Sequence, residues 1–152
     1  MASEKHSAEY KRRFAMARMT AKWAAIMTKV RIRHAVSDNP WPHWHLLDFT
    51  GKGGRESRGV IDLIAVRKDH STARKGLKRG DVLQIILIQV KGGNAAKPTP
   101  EDAARLRVVA RRHGACGILL ATWTKGNAAR FYSLDKRRSE WREVANLRTV
   151  FG

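Results

Sequence analysis

Three residues in this chain combine a carboxylate, an amide and an ammonium inside strongly apolar surroundings: Asp62, Gln89 and Lys91. Asp62 lies near the start of Gly59-Val60-Ile61-Asp62-Leu63-Ile64-Ala65-Val66, and Gln89 and Lys91 close the longer run from Val82 to Lys91. Both segments are rich in β-branched and aliphatic residues and are bounded by Gly, Asp and Lys, the pattern of strands buried on both faces. Side chains alternate along a strand, so Gln89 and Lys91 share one face and Val90 takes the other. A charged group in such a setting is costly unless it is paired, holds a metal or opens to a cleft. The residues therefore leave two readings open: an Asp62–Lys91 ion pair that closes the edge of a core, or a functional site.

Asp62, followed one strand later by Gln89-Val90-Lys91, resembles the PD-(D/E)XK nuclease superfamily. The glutamine form of the second motif is similar to that of Mrr-type restriction endonucleases, and the small layout is similar to Holliday-junction resolvases and VRR-NUC domains. The resemblance implies a metal-dependent DNA endonuclease that hydrolyses phosphodiester bonds, with branched or otherwise structured DNA among its substrates, and a homodimer. It implies Mg²⁺ (or Mn²⁺) held by Asp62, Gln89 and the Val90 carbonyl, with Lys91 orienting the attacking water. Glutamine is a neutral ligand where many relatives have glutamate, so a further carboxylate is expected to join the site. Glu9, which opens the first helix, and Glu56, in the loop before Asp62, are the two candidates, and Glu9 is preferred. If neither reaches the ion, the alternative is a non-catalytic, basic nucleic-acid-binding protein on the same fold. A ribosome-associated RNA-binding role is a third reading.

The elements that must position these residues follow from periodicity. A helical pattern runs from about Ala8 to Val30, with one apolar stripe through Tyr10, Phe14, Ala17, Ala21, Ala24 and Thr28. A second stripe passes through Met16, Met19, Trp23, Ile26 and Val30; it fits either a buried helix or contact with a second subunit. Strands are expected at His43 to Phe49, at the two segments above, at Cys116 to Thr124 and at Ala129 to Leu134. Between the third and fourth, Thr99 and Pro100 followed by Glu101 and Asp102 read as a helix start, and Gly114 as its stop. An amphipathic piece from about Arg138 to Leu147 ends the pattern. The fold class is α/β, a single domain over 1–152, and the order matches the restriction-endonuclease-like αβββαβ core, a central mixed sheet flanked by helices, that the resemblance implies.

Charge supplies the partner. The chain has 31 Lys and Arg against 13 Asp and Glu, a formal net charge of +18, spread through nearly every segment. A field of that size favours a polyanion, with DNA leading. Lys52, Arg55 and Arg58 sit in a glycine-rich loop that lacks the spacing of a nucleotide-binding P-loop and precedes a strand instead of a helix. Lys68, Arg74, Lys75, Lys78 and Arg79 crowd a polar connection, and Lys97 follows the QVK strand; all are expected to track phosphates. His43 and His45 would share a strand face, but no Cys or further His stands at zinc-ligand spacing. The lone Cys116, in an apolar run, is expected in the core and excludes an internal disulfide. With no apolar run of membrane-helix length, the expectation is an intracellular, cytoplasmic protein that does not enter a membrane.

Overall fold

The computed structural model describes residues 2–38, 42–51, 58–71, 74–135 and 137–152, with backbone only for residues 2–5. Its elements are α1 (Ala2–Ala35), β1 (His45–Asp48), β2 (Leu63–Lys68), β3 (Leu83–Gly92), α2 (Pro100–Arg112), β4 (Gly117–Trp123), β5 (Arg130–Leu134), β6 (Trp141–Glu143) and α3 (Arg148–Phe151). The six strands form one mixed sheet in sequence order. All neighbours are antiparallel except β3 and β4, which run parallel and are joined over one face by α2. The fold is thus α/β with a helical layer on each face.

Alternation along β3 assigns its residues to the two layers. Ile86 and Ile88 pack with Leu63, Ala65, Leu119 and Ala121 beneath Ile32 of α1, and Phe151 of α3 joins the same cluster. Leu87 turns the other way and packs with Ala103, Leu106 and Ala110 of α2. Full burial of such side chains contributes about 1.5–3 kcal/mol each relative to exposure. α2 starts where expected: Thr99 Oγ1 accepts from the Asp102 N–H, and the Asp102 carboxylate accepts from the Thr99 N–H. This reciprocal capping box satisfies two donors that a helix start otherwise leaves orphaned.

Three expectations need correction. The second apolar stripe of α1 is not buried with the first: at about 100° per residue the two lie on opposite sides of the helix. Ala24, Thr28 and Ile32 meet the sheet, whereas Met16, Met19, Trp23 and Val30 are exposed on the outer side. Cys116 is exposed just before β4, where the chain is still turning out of α2, and both its N–H and its Sγ donate to Ile85 O. The terminal segment is the edge strand β6 followed by the short α3, not one amphipathic piece.

Helix α1 is also longer than its periodicity suggested, and residues 6–19 are exposed throughout. The helix meets the sheet only from about Thr20 onward. At that point Gly92 lets the two backbones approach, since a Cβ there would stand 3.0 Å from Ala24 Cβ and 3.1 Å from Thr20 O. The first half of α1 therefore projects past the end of β3.

Candidate active site at the end of β3

Asp62 stands immediately before β2, not within it. Continuing the β2–β3 register from Leu63 opposite Ile88 would set Asp62 opposite Gln89. Its N–H instead donates to Ile88 O at 3.0 Å, one residue off that register, while its own carbonyl accepts from Phe49 N–H at 2.9 Å. The shift brings the carboxylate onto the ladder: Oδ2 accepts from the Val90 N–H at 2.7 Å. A side-chain oxygen thus occupies the place of a strand carbonyl, and it sits beside the peptide that separates Gln89 from Lys91.

Gln89 is 6 % exposed, and its Oε1 has no hydrogen-bond partner among the described residues. Thr28, the other buried polar residue, satisfies its hydroxyl on Ala24 O at 2.7 Å. Leaving an amide oxygen unsatisfied costs about 1–3 kcal/mol, so this one has been placed against a gradient. Arg107 Nε and Trp123 Nε1 are also unpartnered, but both are donors; Gln89 Oε1 is the acceptor of the three and the one atom of the set suited to a cation. Asp62 and Lys91 are half-buried and retain an opening to solvent. Asp62, Gln89 and Lys91 are therefore gathered at one end of the β2–β3 pair, the latter two on the face that carries α2.

The other expected residues divide. Lys97 lies in the loop that leaves β3 at this end, its ammonium 5.9 Å from the centre of the Tyr132 ring. Arg58 is exposed in the segment leading to Asp62. Lys68, Arg74, Lys75, Lys78 and Arg79 belong to the opposite end of the β2–β3 hairpin, since Lys68 pairs with Leu83; six residues of strand separate that end from Asp62, about 20 Å. Glu9 is not brought to the site: it is exposed and paired with Arg13 at 2.7 Å, and it precedes Thr20, where α1 meets the end of β3, by eleven residues of helix, about 16 Å. Lys52, Arg55 and Glu56 lie outside the described residues. No cluster of three or more His, Cys, Asp or Glu able to hold a metal occurs among the described residues.

Sequence reasoning passed over Asp48. Its carboxylate accepts from Lys29 Nζ at 2.6 Å and from the Thr50 N–H at 2.9 Å, tying α1 to the end of β1. Burial opposes its ionisation, but the hydrogen bonds from Lys29 and Thr50 outweigh burial and hold the carboxyl below the ordinary aspartate value of 3.8. Asp48 is paired with Leu63 across β1–β2, so it faces α1 and does not join Gln89. The signal for it was the Asp-x-Thr spacing, in which a carboxylate caps the second amide onward.

An open cavity of about 800 Å³, lined by Arg107, Arg111, Cys116 and Asp135 among others, lies by Ile86 and Gly117 and shares no residue with Asp62, Gln89 or Lys91. No helix among the described residues is long and apolar enough to cross a membrane. No protein-family model matches the chain, and no curated protein matches it in sequence.

Proposed function

We propose that this protein is a metal-dependent DNA endonuclease of the PD-(D/E)XK type, with the αβββαβ part of its sheet and helices serving as the nuclease core. The observation that carries the reading is the buried, unpartnered Gln89 Oε1 beside a carboxylate fixed at Val90, with Lys91 next on the same strand face. Hard oxygens of this kind suit Mg²⁺ or Mn²⁺. Asp62, Gln89 and the Val90 carbonyl would hold the ion, which when bound supplies an activated water and neutralises charge on the phosphate.

The chain's own contribution is positional and electrostatic. The Val90 N–H fixes one oxygen of Asp62 and so sets the direction of the other. Lys91, carried on β3 where that strand pairs with Thr122 of β4, presents its ammonium where a phosphate oxygen or an attacking water would be held. Preorganised charge of this kind lowers the barrier because it needs no rearrangement as the transition state forms. Arg58 and Lys97 flank the same end and attract the phosphate backbone.

The reading is tested by nicking of supercoiled DNA with Mg²⁺ or Mn²⁺. Cleavage is expected from the native chain and is expected to vanish in Asp62→Asn and Lys91→Ala with DNA affinity kept; cleavage retained in both variants would remove the site assignment. One observation favours a second reading, a DNA-binding protein without catalysis: Gln89 is a neutral ligand, and Glu9, the carboxylate expected to supplement it, is paired with Arg13 on the projecting half of α1. That reading gains if binding is salt-sensitive and no metal-dependent product forms.

A further inference from the structure

We infer that duplex DNA is led to the Asp62 site along a cationic ridge on α1, formed by Lys11, Arg18 and Lys22. The inference rests on the nuclease reading for its DNA partner, and it adds the surface that holds the duplex. At about 100° per residue, Lys11, Arg18, Lys22 and Lys29 fall within roughly 40° of one another, so they form one line along the helix. Lys29 fixes the direction in which the line faces, because its ammonium is bound to Asp48 at 2.6 Å, at the end of β1. The chain leaves β1 there, through Thr50 and Gly51, and returns by way of Arg58 to Asp62. The ridge and the site therefore share one end of the β2–β3 pair, the ridge on the α1 face of the sheet and Gln89 and Lys91 on the α2 face, with Asp62 between them at the strand end.

The other three cations stand on or beside the projecting half of α1. Lys11, Arg18 and Lys22 are all exposed, and Arg18 lies 5.7 Å from the centre of the exposed Phe14 ring. From Lys11 to Lys22 the ridge spans about 16 Å, about five base pairs at 3.4 Å each. Between residues 6 and 35, α1 carries a single acid, Glu9, already paired with Arg13. A helix so depleted of acids and projecting past the end of β3 offers a polyanion a continuous track. The second apolar stripe, through Met16, Met19 and Trp23, occupies the neighbouring side and leaves the ridge uncovered.

The test compares two charge-matched triple variants of the full chain. One is Lys11→Ala, Arg18→Ala, Lys22→Ala; the other is Arg111→Ala, Arg112→Ala, Arg137→Ala, exposed cations at the far end of the sheet. Alanine favours helix, so the first variant keeps α1, as circular dichroism will show. Affinity for a 30-base-pair duplex is measured by fluorescence anisotropy at several KCl concentrations. The ridge variant is expected to reduce the slope of log affinity against log salt by about 2–3, near 0.9 for each phosphate no longer neutralised, while the far-end variant keeps the native slope. Equal weakening in both triples, or none in the ridge variant, overturns the ridge even where Asp62-dependent nicking persists. Tighter binding of a structured RNA than of the duplex at equal salt overturns DNA as its occupant. A native chain with no salt-dependent binding at all removes both the ridge and the nuclease reading beneath it.

Discussion

The Asp62 carboxylate accepts the Val90 N–H at 2.7 Å and so completes, with a side chain, a strand ladder that the backbone has just left. Structure and chemistry are thus coupled at one atom pair, and they can be separated by substitution. Asp62→Asn keeps an oxygen for Val90 and removes the charge; Asp62→Ala leaves the N–H without an acceptor. Asp62→Asn is expected to retain native thermal stability within about 1 kcal/mol and to lose nicking, whereas Asp62→Ala loses both, with about 1–3 kcal/mol of stability. Urea unfolding beside a plasmid nicking assay checks the pair.

Gln89 makes the opposite trade. Replacing it with Met removes the orphaned oxygen while conserving much of the volume, so in metal-free buffer Gln89→Met should be more stable than the native chain by about 1–2 kcal/mol. For a chain of this size that is about 2–4 °C in melting temperature per kcal/mol. The native protein should gain further stability on adding Mn²⁺, and Gln89→Met should not. Gln89→Glu is expected to increase the Mn²⁺ gain, since it adds a negative ligand. Scanning calorimetry with and without a chelator measures all three.

Gly92 is where α1 touches β3. An added Cβ would meet Ala24 Cβ at 3.0 Å and the backbone oxygen of Thr20 at 3.1 Å, so Gly92→Ala should cost about 1–3 kcal/mol. Because this close approach also sets the angle of the projecting helix, duplex affinity should fall in this variant more than in a surface substitution of equal charge. Denaturant unfolding and anisotropy titration test the two effects separately.

Asp48 gives the fold an acid sensitivity with a definite sign. Its folded pKa lies below the ordinary 3.8 through its hydrogen bonds from Lys29 and Thr50, against the cost of burial. Its contribution is therefore complete above about pH 4 and is lost as pH falls through the lower, folded value. Melting temperature should drop between pH 4 and pH 2 by less in Asp48→Asn than in the native chain, with the variant already weaker at pH 7.

The parts legible in the sequence are those governed by local chemistry. Thr99-Pro100 with Asp102 announces a helix start because the capping box is made within four residues, and β3 and β4 announce themselves by apolar composition alone. Asp62 was recognisable as a candidate, yet its place before β2 depends on a departure from the ladder that only Ile88 and Phe49, distant in sequence, reveal. The charge of the cations of 68–79 is plain from sequence and suits phosphate, but their distance from Asp62 is not: the antiparallel register carries them to the far end of the hairpin. Conversely, helical spacing puts Lys11, Arg18 and Lys22 in one line, and the Lys29–Asp48 ion pair shows which way that line faces. Glu9 failed as a ligand for a related reason: helix length can be read from sequence, but where along its length a helix meets a sheet cannot.

The lone parallel junction of the sheet has a consequence for how the chain comes together. On either side of it lie three strands linked by short-range antiparallel pairings, each able to assemble from neighbouring sequence, whereas β3 and β4 can zip only after α2 has swung the chain across. Late closure of that seam is the natural order of events. Every residue proposed for cleavage belongs to the earlier half, so the later three strands serve as a brace: they clamp the strand bearing Gln89 and Lys91 along its otherwise open flank and turn a marginal meander into a rigid anvil.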